Sequence, residues 1–454
     1  MADLTYREVN EEVLQSLSPP TREYWGLLAL LAVGMGWGFI VWYYQIETGM
    51  GVSGLNIPVG WAVYITNFVF WIGIGHAGTL ISAILYLFRV EWRTAVYRAA
   101  ETMTVFAVMT AGLFPLIHLG RVWVFYWLIP YPNQRHLWPN FRSPLVWDVV
   151  AVTTYLTVSV LFLYMGLIPD LAAARDTPSF SPRRRAWYGF FALGWQGEHN
   201  QWRHYLRAYM CLAALATPLV ISVHSVVSWD FAMALLPGWH ETIFAPYFVA
   251  GAIHSGLAMV ITLLIPLRKY FHLERLVQLR HFEAMAQLNV FTGLIVLYAY
   301  AVEPFMAWYS GDAIQRGMIV YRALGSYWPY FWIMTFCNSI LPLAYFWRKI
   351  RRSWGWLLGI SLAINLGMWL ERYVIIVTPL AHDFLPDMWS TYRPTWVDIS
   401  ISLGMACWFL FLFLSAVKLF PAVAISENKG RPAPPEAQIV ERGTWNVENG
   451  GRDA

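Results

Sequence analysis

Residues 68–88, FVFWIGIGHAGTLISAILYLF, decide the fold class. The stretch is almost wholly apolar, and a helix of this length covers the hydrocarbon core of a bilayer, which is about 30 Å thick. His76 stands near its middle, among Gly73, Gly75 and Gly78. The stretch therefore predicts a membrane-spanning helix with a titratable group at a depth where water is scarce.

The composition of the whole chain agrees with this prediction. Of the 454 residues, 58% are hydrophobic and only 13% are charged, whereas soluble proteins are usually about 25% charged. We therefore expect an all-α polytopic membrane protein whose main partner is the lipid bilayer, and we expect no nucleic-acid partner. Ten apolar runs approach the length of about 20 residues that a spanning helix needs. They lie at 24–44, 60–88, 99–128, 145–167, 205–229, 247–267, 284–308, 327–347, 354–377 and 397–420.

The loops between these runs differ in positive charge. One set is rich in Lys and Arg, for example Arg89, Arg93 and Arg98 after the second run, and the opposite set has fewer. Because cytoplasmic loops carry an excess of positive residues, we expect the first set to face the cytoplasm. Both termini are then cytoplasmic, and the protein is predicted to cross the cytoplasmic (inner) membrane several times. The first 20 residues do not join a basic segment to an apolar core, so no cleaved signal peptide is expected.

The motif around His76 occurs twice. Residues 73–78 read GIGHAG and residues 251–256 read GAIHSG. Two more pairs follow in the same order, RAAETM (98–103) with RHFEAM (280–285) and PLVW (144–147) with PYFW (329–332). Three matched motifs predict a parallel repeat of two four-helix bundles, with the first and last helices outside it.

The repeat divides the chain into six predicted segments. They are a cytoplasmic N-terminal segment (1–23), the first helix with an outer loop (24–57), the first bundle (58–230), the second bundle (231–378), an outer loop with the last helix (379–420) and a cytoplasmic tail (421–454). The tail is polar and rich in Pro and Gly, which is typical of a disordered or partner-bound extension.

Several polar residues in the predicted spans are candidates for a proton path. They are His76, Glu101, His254, Glu283, Glu371 and Arg372. Ionisable groups inside a membrane are costly and are usually functional. Structural roles are the alternatives. The histidines could form hydrogen bonds across close helix contacts, and the carboxylates at helix starts could interact with the helix dipole. The adjacent Glu371 and Arg372 could pair with groups on other helices.

A second polar group lies at the outer end of the first bundle, where the repeat is broken. His118 and Arg121 are three residues apart and are expected to share a helix face, and Asp148 lies about one turn into the fourth helix. Tyr300 and Ile333 occupy the matching positions of the second bundle. An imidazole and a carboxyl group beside aromatic residues suit a site that takes protons from a quinol. The alternatives are a helix-capping carboxylate and an arginine that snorkels to the interface.

A third polar group follows the fifth helix in SVHSVVSWDFAMALLPGWHETIF, residues 222–244. It comprises His224, Asp230, His240 and Glu241, which we predict either as further quinol contacts or as anchors of a loop or a partner. The three cysteines, Cys211, Cys337 and Cys407, are widely spaced. Because an iron–sulfur cluster needs about four thiolate ligands, no cluster is expected in this chain.

The segment LLPGWHETIFAPYFVAGAIHSGLAMV, residues 235–260, resembles the NrfD-like (polysulfide reductase membrane subunit) family. The ten spans and the ERY at 371–373 are similar to the form of that family in bacterial alternative complex III. The resemblance implies a membrane subunit for electron transport that oxidises menaquinol or another quinol near the periplasmic face. It also implies that the chain holds no haem or cluster itself, and that His118 and Asp148 match the quinol-site residues of the family.

The same resemblance implies partners and a coupled process. The partners are a periplasmic iron–sulfur subunit, c-type haem subunits and a second NrfD-like membrane subunit. Proton translocation coupled to quinol oxidation in a respiratory or photosynthetic chain is the implied process. Three alternatives remain open: a secondary transporter, a haem b protein with His76 and His254 as axial ligands, and a membrane anchor without catalysis.

Overall fold

The computed structural model describes residues 6–129, 131–133, 136 and 138–425, and within these ranges it contains helices and no strand. This confirms the all-α polytopic prediction. We number the ten principal helices in chain order. They are α1 Arg22–Thr48, α2 Val63–Leu87, α3 Tyr97–His118, α4 Pro144–Arg175, α5 His199–Ala232, α6 Phe244–Tyr270, α7 Leu279–Tyr309, α8 Trp328–Thr335, α9 Trp354–Ala381 and α10 Trp396–Leu419. All except α8 are long and apolar enough to cross a membrane.

Shorter helical segments connect these helices. The α-helical ones are Tyr6–Gln15, Pro182–Phe191, Ala313–Leu324 and Arg348–Arg351. The 3₁₀ segments are Met50–Val52, Glu91–Ala95, Val122–Leu128, Leu341–Phe346 and Pro386–Met388, and α2 contains a π turn at Leu80–Ile84. The predicted tail lies outside the described residues from 426 onwards, and the six-segment division remains a prediction.

The third predicted span, 99–128, is too long. Helix α3 ends at His118, and Gly120 then adopts a φ of +68°, which is a left-handed conformation that glycine reaches without steric cost. The chain continues as a 3₁₀ segment from Val122. His118 and Arg121 therefore do not share a helix face, and the prediction from their spacing was wrong.

The eighth predicted span, 327–347, is present but broken. It begins as α8 and continues through a π turn, Phe336–Ile340, into a 3₁₀ segment, Leu341–Phe346. Pro342 explains the break, because it has no N–H and, in a regular α-helix, its ring would collide with the carbonyl group four residues earlier, at Asn338. Segment 328–346 packs against α9 along its length, and its part from Phe336 onwards also packs against α7.

Close contacts between helices explain the glycines that surround the two central histidines. A Cβ atom at Gly78 would overlap the carbonyl oxygen of Ala100 on α3, and one at Gly256 would lie 2.5 Å from the Cβ of Ala77. Only glycine permits these backbone approaches. Helix α2 therefore packs tightly against both α3 and α6.

The order of packing follows the sequence repeat. Helix α3 packs on α4, and α4 on α5, while on the other side α7 and α9 pack on α6. Helices α1 and α10 form a pair beside α3, where a Cβ atom at Gly38 would lie 2.6 Å from the Cα of Gly404. We call the end where α3 finishes and α4 begins the outer end, following the predicted charge orientation, and the opposite end the inner end.

Candidate functional site

Two carboxyl groups meet at the outer end of the first bundle. Asp148 lies in the second turn of α4, which begins with Pro144, and Asp230 lies two residues before the end of α5. Their side chains are within hydrogen-bond contact, and Asp148 is only 6% exposed. We call these two residues the carboxyl pair. Two carboxyl groups in direct contact repel each other strongly when both are ionised, so this geometry favours one proton shared by the pair.

The contact of α4 with α5 fixes the carboxyl pair. The rings of Trp147 and Trp229, each one residue before an aspartate of the pair, meet edge to face with centroids 5.9 Å apart. The sequence pattern assigned Asp148 and Asp230 to separate groups. The structure joins them because α5 continues to Ala232 rather than ending in a loop before Asp230.

His118 is the last residue of α3, at the same outer end. Its Nδ1 atom and the Oδ1 atoms of Asp148 and Asp230 are buried without a hydrogen-bond partner among the described residues. Buried polar atoms normally have such partners, so these three atoms are available to a ligand. Arg121 lies exposed beyond the helix end, and no ion pair joins it to Asp148 in the described part of the chain.

A glutamine that the sequence patterns did not single out holds the end of α3 in place. The Nε2 atom of Gln45 on α1 donates to the carbonyl oxygen of Ile117 (3.0 Å), and the hydroxyl of Tyr64 donates to its Oε1 atom (2.5 Å). Gln45 is fully buried. Its isolation within an otherwise apolar run was the signal in the sequence.

Two histidines lie deeper in the first bundle and contact each other. The rings of His76 and His224 meet edge to face with centroids 4.5 Å apart, and Tyr155 lies 5.4 Å from His76. His224 is six residues before Asp230 on α5, which places it about 9 Å deeper along the helix. From the sequence we grouped His224 with an outer connection, whereas the structure buries it completely in α5.

These histidines retain free nitrogen atoms. Nδ1 of His76 bonds the carbonyl oxygen of Ile72 at 2.7 Å, and its Nε2 has no partner in the described chain. Both ring nitrogens of His224 also lack one there. Beyond His76, the Tyr155 hydroxyl bonds the carbonyl oxygen of Gly75 (2.9 Å) and the hydroxyl of Thr79 (2.8 Å). Polar groups thus continue inwards from the histidines.

A buried ionic cluster closes the inner end of the first bundle. The Arg98 guanidinium lies 3.2 Å from Glu101 and 3.1 Å from Asp170, and Tyr209 donates to Glu101 at 3.2 Å. All four are almost fully buried. The expectation that Arg98 is a loop cation was wrong. Asp170 was not predicted as a member of any site, although an aspartate within the apolar run of α4 was a visible signal.

The repeat partner of Glu101 has a different environment. Glu283 lies 3.4 Å from Arg352, and its side chain is 23% exposed. The two glutamates, which match in sequence, are therefore not equivalent in structure. At the inner end, buried carboxylates therefore occur around Arg98 in the first bundle, and Glu283 does not reproduce them in the second.

The second bundle has its own buried ion pair. Glu371 and Arg372 contact each other at 2.8 Å, although we expected their partners on other helices. Other helices do complete the group, because Tyr300 donates to Glu371 and the Asn338 amide donates to it at 3.3 Å. The Arg372 guanidinium also lies 4.2 Å from the ring centroid of Phe248.

His254 faces a different neighbour from His76. Its Nδ1 lies 3.1 Å from the Thr292 hydroxyl on α7, while the ring of His76 contacts α4 and α5. The two histidines thus point into separate bundles. This arrangement does not suit two axial ligands of a single haem.

His240 and Glu241 lie in the connection between α5 and α6, shortly after Asp230 in the sequence. His240 is exposed, with Nδ1 3.1 Å from the carbonyl oxygen of Ala234. Burial raises the pKa of Glu241 to about 8, assisted by the Glu303 carboxylate and opposed by Arg322. Glu303 and Arg322 form an ion pair on the second bundle. No group of three or more His, Cys, Asp or Glu side chains in the described ranges has the geometry of a metal site.

Known proteins resemble this chain over nearly its whole length. One is a putative dimethyl sulfoxide reductase membrane subunit of Halobacterium salinarum, 26% identical over 90% of this chain and 93% of the relative. Another is a selenate reductase subunit of Mesobacillus selenatarsenatis, 22% identical over 90% of this chain and 97% of the relative. A third is the menaquinone reductase integral membrane subunit of Nitratidesulfovibrio vulgaris, 21% identical over 88% of this chain and 93% of the relative.

The family assignment rests on the match of the chain to a described protein family. Residues 51–381 match the family described as "Polysulphide reductase, NrfD", and this range contains α2 to α9. The resemblance predicted from residues 235–260 is thereby confirmed. The chain is a multi-pass membrane protein that belongs to the NrfD family.

Proposed function

We propose that this chain is the membrane subunit of a quinol:electron acceptor oxidoreductase, and that it oxidises quinol at the outer end of the first bundle. The observation that carries the proposal is the buried carboxyl pair, with free oxygen atoms and the free Nδ1 of His118 at the end of a neighbouring helix. The name of the Nitratidesulfovibrio relative, a menaquinone reductase subunit, supports the menaquinone/menaquinol couple as the quinone that the chain handles.

The chemistry requires two proton acceptors. Oxidation of a quinol to a quinone releases two protons and two electrons. The carboxyl pair takes the first proton, because a pair that holds one proton has room for another. The His118 imidazole takes the second through its Nδ1 atom, to which the described residues offer no hydrogen bond. The electrons leave to an acceptor that a partner protein supplies.

The resemblance to alternative complex III suggests the identity of these partners. They are a periplasmic iron–sulfur subunit that receives the electrons, c-type haem subunits beyond it, and a second NrfD-like membrane subunit. The names of the relatives cover several reductase types. Purification of the native complex and identification of its subunits by mass spectrometry distinguishes alternative complex III from these reductases.

Single substitutions in the native complex test the proposal. Asp148→Asn and His118→Gln preserve side-chain size and remove a proton acceptor, so we expect quinol:acceptor turnover to fall by about 10²- to 10⁴-fold. Asp387→Asn, at an exposed aspartate in the loop after α9, is the matched control and should leave turnover unchanged. Gel analysis of the subunits and cofactor spectra establish that each complex is assembled. Full turnover in an assembled Asp148→Asn complex would favour the membrane-anchor alternative.

Proton translocation is a second candidate function, and the buried polar groups of the first bundle favour it. They run from the carboxyl pair through His224, His76 and Tyr155 to the cluster around Arg98. Titratable groups inside a membrane are typical of proton relays. The first bundle also has buried carboxylates at its inner end, whereas Glu283, the matching glutamate of the second bundle, is partly exposed.

The proton path is tested by removal of one hydroxyl. Tyr155→Phe keeps the ring packed against His76 and removes the bonds to Gly75 and Thr79. In vesicles that contain the complex and a pH indicator, we expect fewer protons translocated per quinol. Tyr164→Phe, on the same helix with a hydroxyl bonded to the Phe191 carbonyl, is the control. An unchanged proton yield in the Tyr155 variant would remove this tyrosine from any path.

A further inference from the structure

A cavity of about 530 Å³ opens at the inner end, opposite to the end that holds the carboxyl pair. It lies between the start of α1 and the end of α10, beneath the segment that precedes α1. Most of its wall is apolar, formed among others by Trp25, Leu28, Ala32 and Phe411. Trp25 is 59% exposed on the outside of the helix bundle, so the cavity borders the surface that faces lipid.

Two cations, Arg184 and Lys418, line the cavity at the same end. Arg184 donates to the Tyr188 hydroxyl (2.9 Å) and to the carbonyl oxygens of Leu17 (2.8 Å) and Lys418 (3.4 Å). Each of these three partners is neutral. No carboxylate among the described residues balances its charge.

Lys418 has the same kind of environment. Its Nζ donates to the carbonyl oxygens of Ser16 (2.9 Å) and Ser18 (3.3 Å) and lies 4.6 Å from the ring centroid of Phe271. The described chain gives it no acidic partner either. Two like charges thus border one partly enclosed cavity, a costly arrangement that an anion would relieve.

The position of the cavity indicates which kind of anion it would bind. Helix α1 begins at Arg22 and α10 ends at Leu419, so both cations lie at the level where a membrane-spanning helix meets water. Basic pockets between helix ends at this level suit phospholipid headgroups. The apolar wall suits an acyl chain, whereas a free phosphate ion would leave it uncovered.

We propose that this cavity binds an anionic phospholipid, with its phosphate beside Arg184 and Lys418 and an acyl chain along the wall between α1 and α10. The C-terminal end of the protein itself is a less suitable occupant. Its last described residue, Ile425, donates its backbone N–H to Asp170 at 3.2 Å, and Asp170 does not line the cavity. The site is independent of quinol oxidation.

Native mass spectrometry of the purified complex from nanodiscs tests this site. The nanodiscs contain equal amounts of phosphatidylglycerol and phosphatidylcholine. We expect the wild-type complex to retain phosphatidylglycerol preferentially, and Arg184→Gln and Lys418→Gln each to retain about fivefold less. Arg183→Gln, at the exposed neighbouring arginine, is the matched control and should retain as much as the wild type. Ala29→Phe fills the cavity without removal of a charge, and it should also reduce retention.

Three different outcomes would each overturn the proposal. Equal retention of both lipids would identify a merely apolar groove. Displacement of the lipid by millimolar inorganic phosphate, with no effect of Ala29→Phe, would identify a phosphate ion. Preferential retention only after deletion of residues 426–454 would identify the tail as the native occupant.

Discussion

The carboxyl pair makes a quantitative prediction about a double-mutant cycle. Asp148 and Asp230 are in hydrogen-bond contact, so the proposed site predicts that they act as one proton acceptor rather than two. Asp148→Asn and Asp230→Asn each leave a lone carboxyl group that no longer shares a proton. Loss of a general base costs about 10²- to 10⁴-fold in rate, which corresponds to roughly 3–5 kcal/mol of transition-state stabilisation.

The double variant decides whether the two residues act together. Residues that act as a unit are strongly non-additive. We therefore expect Asp148→Asn/Asp230→Asn to lose about the same 10²- to 10⁴-fold as each single variant, and hence a coupling energy close to one single effect. Two independent acceptors would instead multiply their losses, to about 10⁴- to 10⁸-fold.

The assay is turnover of the assembled complex with a water-soluble quinol analogue at saturating concentration. Melting temperature and the presence of every subunit are checked for each variant, so that loss of folding is separated from loss of chemistry. Asp387→Asn again serves as the control, because it removes an exposed carboxylate. Multiplicative losses, or a single variant with wild-type turnover, would refute the shared-proton interpretation.

Three further predictions concern the scaffold. Gly78→Ala should destabilise the protein by about 1–3 kcal/mol, because its Cβ atom would overlap the hydroxyl of Thr104 on α3. Gly112→Ala is the control and should leave the melting temperature unchanged, since a Cβ atom there would have nothing within 4 Å. Equal shifts of the melting temperature in the two variants would refute the packing role of Gly78. The pKa of Glu241 is raised from 4.5 to about 8, so the folded state holds an extra proton across that window and stability should fall as pH rises through it. Glu241→Gln should remove this slope in melting temperature between about pH 5 and 8, and an unaltered slope would contradict the assignment. Glu371→Gln should cost roughly 3–5 kcal/mol because it leaves Arg372 buried without its carboxylate; a melting temperature equal to that of the wild type would show that the pair is not structurally required.

The features predictable from the sequence were those with a local or repeated signal. Apolar runs located the helices, and the G-x-x-H-x-G repeat located the central contacts of α2 and α6, where Gly78 and Gly256 permit close packing. Asp148 lies as expected near the start of α4. The end of α3 was not predictable from hydropathy, because the residues from Leu119 to Leu128 are apolar except for Gly120 and Arg121, and the helix ends at the left-handed backbone of Gly120.

The contacts that build the candidate site are long-range, and no spacing rule finds them. Asp148 and Asp230 are 82 residues apart and meet only because α4 and α5 pack as neighbours. Arg98 and Asp170 are 72 residues apart and pair for the same kind of reason. From the sequence alone, such residues look like separate surface charges. In the folded protein they are buried partners, because their helices pack together.

Photoaffinity labelling of the native complex with an azido-quinone, followed by peptide mapping, would locate the quinol site most directly. We expect the label on the end of α3, the start of α4 and the end of α5, around His118, Asp148 and Asp230, and we expect excess menaquinol to compete with it. Competed labelling confined to the second bundle, near Glu241 or Arg322, would instead place the quinol at the other outer polar group and refute the proposed site.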